Sequence, residues 1–173
     1  MKFKGMDGIE MSIELKEGQK APIFTLMDHV GRKVSLSNFK GSWVVLYFYP
    51  KDNTPGCSME AKGFTAHMEE FKKANTVVLG VSADSVKSHC SFVERLGLKV
   101  ILLSDPNKAI CKKYGVIRDR NMFGRMLKLI GRATFLIDPK GNIDKVWDKV
   151  TVEGHPKKVL DRITQKEVIN RLT

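Results

Sequence analysis

No apolar run in this 173-residue chain approaches the roughly 20 residues a membrane-spanning helix requires; the longest, Trp43 to Tyr49, is of strand length. A soluble protein with no membrane partner is expected. Met1 to Ser12 mixes Lys2, Lys4, Asp7 and Glu10 with isolated apolar residues, so it lacks the hydrophobic segment of a secretory signal, and the expected location is cytoplasmic. There is no Cys-x-x-Cys and no close Cys/His cluster beyond the adjacent His89 and Cys90, which argues against structural zinc. Acidic residues are scarce, 19 Asp and Glu against 30 Lys and Arg, giving a net charge of +11 and loose attraction to any polyanion. One local concentration, Arg118, Arg120, Arg125, Lys128 and Arg132 against Asp119 alone, reads as a solvated basic loop. It comes with no base-stacking motif and no basic helix, so no specific nucleic-acid partner is expected.

What is present suits one globular domain. The chain is 42% hydrophobic with 14 Gly and 6 Pro, and at this length it should bury roughly 70% of its unfolded surface without staples. The expected organisation is an N-terminal extension over residues 1–13 and a single domain over 14–173, with no internal repeat or linker.

Lys33 to Leu36 alternates polar and apolar, while Trp43 to Tyr49 is a continuous β-branched and aromatic run, as in a strand covered on both faces. From Gly56 to Lys73, Ala61, Phe64, Met68 and Phe71 recur at helical spacing. Thr76 to Val81 reads as a buried strand, Ser85 to Leu96 as a helix with Val86, Cys90 and Val93 on its apolar stripe, and Lys99 to Leu103 as a third strand. Asp105-Pro106 opens a short helix through Tyr114. After the basic loop come Ala133 to Ile137, a turn at Asp138 to Gly141, a strand from Ile143 to Val150 and a closing helix from His155. Alternating strands and helices indicate an α/β fold with parallel pairs, the last two strands forming an antiparallel hairpin.

Chemistry concentrates at Tyr49-Pro-Lys-Asp-Asn-Thr-Pro-Gly-Cys57, between a buried strand and a helix start, where α/β sheets place their sites. A cysteine in a first helical turn faces unpaired N–H groups and the positive end of the helix dipole, which favours the thiolate. Pro55-Gly56 keeps bulk away from Cys57 and predicts an exposed, reactive sulfur; the alternative is a small buried hydrophobe. Thr54 either turns its hydroxyl toward that sulfur or satisfies backbone groups in the turn. Arg132 either brings a cation to the thiolate or is a solvated strand flank, and Glu60 reads as a helix cap.

Phe48 to Cys57 with Glu60-Ala61, then Leu79 to Ser82, Asp84 to His89, Leu103 to Asp105, Tyr114 to Val116, Met122 to Gly124 and Arg132 to Asp138, closely resemble the peroxiredoxins, in their bacterioferritin-comigratory or Q-type branch, over about residues 15 to 165. The resemblance implies a thioredoxin-like fold, a central mixed β-sheet flanked by helices, and thiol-dependent reduction of hydrogen peroxide and organic hydroperoxides without a metal, flavin or haem. Pro50, Thr54 and Cys57 fill the family's Pro-x-x-x-Thr-x-x-Cys motif and Arg132 its active-site arginine. Cys57 is then the peroxidatic cysteine, passing through a sulfenic acid. Thioredoxin or a glutaredoxin-like thiol is the implied reductant, and a monomer the implied state.

The second cysteine departs from the family. The resolving positions used by other members align here with Lys62 and Val93, so both are empty. Cys90, one turn before Val93 on nearly the same helix face, is the best substitute, and Cys111 reads as core. If Cys90 serves, the helices must unwind locally; otherwise the enzyme uses one cysteine and an external thiol. A thiol-disulfide oxidoreductase on the same fold would need a vicinal cysteine where Thr54 stands.

Overall fold

The computed structural model describes residues 13–173 in full and, before them, the backbone of two short strands, β1 (Phe3–Lys4) and β2 (Glu10–Met11). Of the expected 1–13 extension, residues 1–2, 5–9 and 12 lie outside the described residues. A seven-stranded sheet forms the centre, built from β3 (Thr25–Asp28), β4 (Lys33–Ser35), β5 (Trp43–Phe48), β6 (Thr76–Ser82), β7 (Ile101–Ser104), β10 (Ala133–Ile137) and β11 (Ile143–Trp147). Its order is β11-β10-β5-β6-β7-β3-β4. The β5-β6 and β6-β7 pairs are parallel, and the flanking pairs are antiparallel, so the sheet is mixed.

Central strand β5 shows why both faces are covered. Val44, Leu46 and Phe48 point into one core with Phe135, Tyr114 and Val81, while Trp43, Val45, Tyr47 and Tyr49 point into the other. The second core is closed by α1 (Pro55–Ala66), α2 (Met68–Lys73), α3 (Val86–Leu96) and α5 (His155–Leu172); α4 (Ala109–Lys113) covers the first. None of the described helices is long and apolar enough to cross a membrane.

A column of rings runs under α1. Tyr47 stacks on Phe64 at 4.7 Å and on Tyr49 at 5.6 Å, and Phe64 meets Phe71 at 6.0 Å. Gly80, opposite Tyr47 on β6, makes the column possible: a Cβ there would lie 2.6 Å from the Tyr47 ring and 2.9 Å from Leu102. At the base of α5, His155 shares a 2.8 Å hydrogen bond with Thr134 and sets its ring edge-on to Phe64 and Trp147. Burial, with Lys158 and Arg132 nearby, pushes its pKa down to about 4.

Several elements depart from the sequence expectation. The single helix expected over Gly56–Lys73 is two, because the chain turns at His67 (φ −100°, ψ 9°), whose amide donates to Phe64 and Thr65 carbonyls. Strand β4 ends at Ser35, Leu36 opening a 3₁₀ turn, and its partner β3 carries too weak an alternation to be read. The short helix begins only at Ala109, since Asp105 instead caps the segment by accepting the Cys111 amide and Lys108 adopts positive φ. Strand β11 stops at Trp147. The buried stripe of α3 is centred on His89 and Phe92, leaving Val86, Cys90 and Val93 half-buried. The basic loop is a β-hairpin, β8 (Ile117–Met122) with β9 (Arg125–Ile130), reversed at Phe123-Gly124 with both residues at positive φ, and β2 adds to its edge.

Candidate active site

Chain direction places the cysteine. Strand β5 delivers Tyr49 to the carboxyl edge of the sheet, and Asn53 turns the chain at φ +63°. Thr54 then sits extended as the residue before α1, and Pro55 supplies the preset φ of a first helical position. The first helical hydrogen bond runs from the Ser58 amide to the Thr54 carbonyl at 2.9 Å, so the amides of Gly56 and Cys57 precede the ladder and carry the positive end of the helix dipole.

Arg132, entering β10, joins the site from the far side. Its Nη2 donates to Cys57 Sγ at 3.3 Å and its Nη1 to Glu60 Oε1 at 2.7 Å. The guanidinium fits because residue 56 is glycine: a Cβ there would stand 3.1 Å from Nη2. The solvated-flank alternative for Arg132 is thereby set aside. The reading of Glu60 as a helix cap is also corrected, since its carboxyl is wholly buried one turn beyond Cys57, with Oε2 unpartnered. Burial raises the Glu60 pKa to about 7 against the opposing pull of Arg132. Arg118 is a second, half-buried cation close enough to Arg132 for each to feel the other.

One expectation about the cysteine loop changes, and of the two readings of Thr54 the backbone one is found. Cys57 is not exposed but 2% accessible, because α1 packs Ala61 and Phe64 onto the sheet and carries its first turn down with them. The Thr54 hydroxyl donates to the Lys51 carbonyl at 3.0 Å rather than to the sulfur. That bond holds Lys51 to Thr54 in a tight turn and leaves the hydroxyl lone pairs as acceptors. Pro50 is exposed at the start of this loop.

The loop is fastened from beneath by a buried polar cluster that sequence reasoning missed. Asp52, 4% accessible, accepts from Tyr49 Oη at 2.7 Å and Ser88 Oγ at 2.8 Å, and its Oδ2 lies 2.7 Å from His89 Nδ1. His89 Nε2 donates to the Leu103 carbonyl at 3.0 Å, which ties the ring to β7 as well. The Asp52 amide donates to Asp84 Oδ2, which also accepts from Ser82 Oγ. Asp52, Asp84 and His89 have the side-chain types and proximity of a metal site, but these oxygens already accept protein hydrogens, and the arrangement is a hydrogen-bond network.

Cys57, Cys90 and Cys111 are all free. Cys90 Sγ is directed to Glu94 at 3.7 Å, and its pKa is raised by desolvation and by that carboxylate. Cys111 is fully buried, and burial together with Asp105 raises its pKa strongly. The structure therefore brings Cys57, Arg132, Glu60 and the Thr54 turn together and leaves Cys90 turned elsewhere. A sulfur at a helix N-terminus beside a fixed cation is equipped to attack an electrophile and to steady negative charge on a departing oxygen.

The model of the AhpC/TSA family matches residues 17–146. The putative peroxiredoxin bcp of Coxiella burnetii is 52% identical over 153 residues, 88% of this chain and all of the relative. Peroxiredoxin Bcp of Escherichia coli K12 is 40% identical over 147 residues, 85% of this chain and 94% of that one. Among solved structures, a cysteine-to-serine mutant of Xylella fastidiosa PrxQ superposes with a TM-score of 0.85 at 38% identity, over 90% of this chain and 99% of the other. The Xanthomonas campestris bacterioferritin comigratory protein, in a study of its alkyl peroxide reduction, gives 0.82 at 38% identity over 87% and 99%.

Proposed function

Because the chain belongs to the AhpC/TSA family, as a peroxiredoxin of the Bcp or PrxQ group and hence a thiol peroxidase acting in antioxidant defence, we propose that Cys57 is its peroxidatic residue, with Pro50, Thr54 and Arg132 shaping the site. The observation that carries this reading is the 3.3 Å contact of the Arg132 guanidinium with Cys57 Sγ at the head of α1. The Cys57 thiolate attacks the terminal oxygen of the hydroperoxide; the S–O bond forms as the O–O bond breaks, and the departing alkoxide or hydroxide takes up a proton. Thr54, its own proton committed to Lys51, accepts a hydrogen bond from the peroxide, and Arg132 faces the charge moving onto the leaving oxygen. Cys57 is left as a sulfenic acid.

Cys90 then attacks the sulfenic sulfur, forming the Cys57–Cys90 disulfide and releasing water, and a dithiol reductant of the thioredoxin or glutaredoxin kind restores both thiols. Hydrogen peroxide and organic hydroperoxides are both substrates, an organic one in keeping with the Xanthomonas relative. The protein works as a cytoplasmic monomer, its catalytic machinery within residues 14–173. Cys57→Ser is expected to abolish peroxide consumption, and Cys111→Ser to leave it nearly unchanged. Turnover near wild type in Cys57→Ser would overturn the assignment. Peptide mass spectrometry of the peroxide-treated protein under non-reducing conditions tests the resolving step: a Cys57–Cys90 linked peptide is expected, and Cys57 found only as sulfenic or sulfinic acid beside free Cys90 would refute it.

A further inference from the structure

A disulfide requires its Cβ atoms about 3.8 Å apart. Cys90 instead lies half-buried on α3 with its sulfur toward Glu94, and Cys57 is buried at the head of α1, so α3 must yield together with that first turn before the two sulfurs meet. Whatever holds α3 down therefore helps decide what becomes of the Cys57 sulfenic acid.

The holding contacts fall on both sides of Cys90 and converge on one dipeptide. Before Cys90, Ser88 Oγ and His89 Nδ1 both meet Asp52 Oδ2, at 2.8 and 2.7 Å. After it, Arg95 reaches Asn53 Oδ1 with Nη2 at 2.6 Å and Nε at 3.0 Å. The dipeptide is itself fixed to the sheet: Tyr49 Oη donates to Asp52, and the Asp52 amide donates to Asp84. Asp52 and Asn53 immediately precede Thr54, so the segment that presents the catalytic turn also grips the helix carrying the second thiol.

We propose that the Asp52-Asn53 turn is the clamp on α3, and that Ser88, His89 and Arg95 are positioning residues that set how the Cys57 sulfenic acid divides between a disulfide with Cys90 and sulfinic acid. The division, though not the clamp, rests on the reading of Cys90 as the resolving thiol. In the first branch the S–S bond forms and hydroxide leaves the sulfenic sulfur as water. In the second, another hydroperoxide oxidises Cys57–SOH to Cys57–SO₂H and departs as alcohol or water. The first branch is independent of peroxide and proportional to how often α3 opens; the second is proportional to peroxide concentration. The peroxide concentration that sends half of the protein to sulfinic acid in one turnover thus rises in step with the opening constant.

Ser88→Ala and Arg95→Gln each weaken the clamp without altering Cys57, Thr54 or Arg132, and Ser91→Ala on the exposed face of α3 serves as control. Hydrogen exchange of α3 amides in the reduced proteins reads the opening directly. Exchange is expected to quicken about tenfold in Ser88→Ala, which removes a half-buried hydrogen bond to a carboxylate, and by less in the exposed Arg95→Gln, with Ser91→Ala unchanged. The half-sulfinic peroxide concentration, read by mass spectrometry, is expected to rise by the same factors, and Cys90→Ser introduced beside Ser88→Ala to cancel the rise. Unchanged exchange in both variants would overturn the clamp. Faster exchange with an unmoved sulfinic threshold and a free Cys90 thiol would overturn the proposed division by removing Cys90 as resolver, while the clamp would stand.

Discussion

Replacing Glu60 by Gln isolates the energetic consequence of burying an acid under the reactive sulfur. In the folded protein the Glu60 pKa is about 7, raised from an ordinary value of 4.5 by burial. Between those values the native state keeps a proton that the unfolded chain has released, so stability falls as pH rises through the window and levels off above it. Integrating the two titrations from pH 5 to pH 8 gives a loss of roughly 2 to 3 kcal/mol from this one group. Gln has nearly the shape of the protonated acid, can accept the same Arg132 hydrogen bond and carries no such penalty. Urea unfolding of the reduced wild type and Glu60→Gln at pH 5 and pH 8 measures the effect as a difference of differences, in which the other titrating groups cancel. Glu60→Gln is expected to gain roughly 2 to 3 kcal/mol on wild type over that interval. Parallel pH profiles, or a gap below about 1 kcal/mol, would show that Glu60 is ionised at ordinary cost.

Thr54→Val, which removes an acceptor for the peroxide, and Arg132→Met, which removes a donor, should each slow the single-turnover reaction with peroxide by about 10²-fold to 10³-fold in stopped-flow measurements, the scale of losing one preorganised hydrogen-bond partner. Rates within a factor of two of wild type would remove those residues from the mechanism. His155 predicts the opposite pH slope from Glu60: it stays neutral in the fold down to about 4, so stability should decline as pH drops from 6.5 toward 4, and His155→Gln should flatten that decline in thermal unfolding. A variant that lost stability as steeply as wild type would place the acid sensitivity elsewhere.

The central strands and the reactive loop were legible because their signals are local. Trp43 to Tyr49, Thr76 to Val81 and Ala133 to Ile137 are apolar runs bounded by turn residues, and Pro-Gly-Cys after such a run marks a helix start. What escaped depends on partners distant in the chain. The pairing of Glu60 with Arg132 spans 72 residues, and no pattern within α1 separates a buried acid from a cap. Asp52 and His89, 37 residues apart, each look like ordinary loop and helix polar residues until the fold joins them. The exposure expected of Cys57 failed for a related reason: Pro-Gly describes what flanks the sulfur in sequence, whereas its burial is set by Ala61 and Phe64 drawing α1 onto the sheet. The 117–130 hairpin was missed because β9 is exposed along most of its length, so no apolar alternation betrays it.

The empty place at Gly80 has a consequence for how this sequence can drift. The Tyr47 ring occupies the room that any larger residue at position 80 would claim, and that ring supports Phe64 beneath the helix bearing Cys57. Neither residue can change size alone without displacing the floor of the reactive helix, since Gly80→Ala drives a methyl into the ring and Tyr47→Ala leaves a void under α1. The two positions, on neighbouring strands and 33 residues apart, are therefore expected to vary as a pair across descendants of this chain, a large ring with glycine or a smaller side chain with alanine or serine.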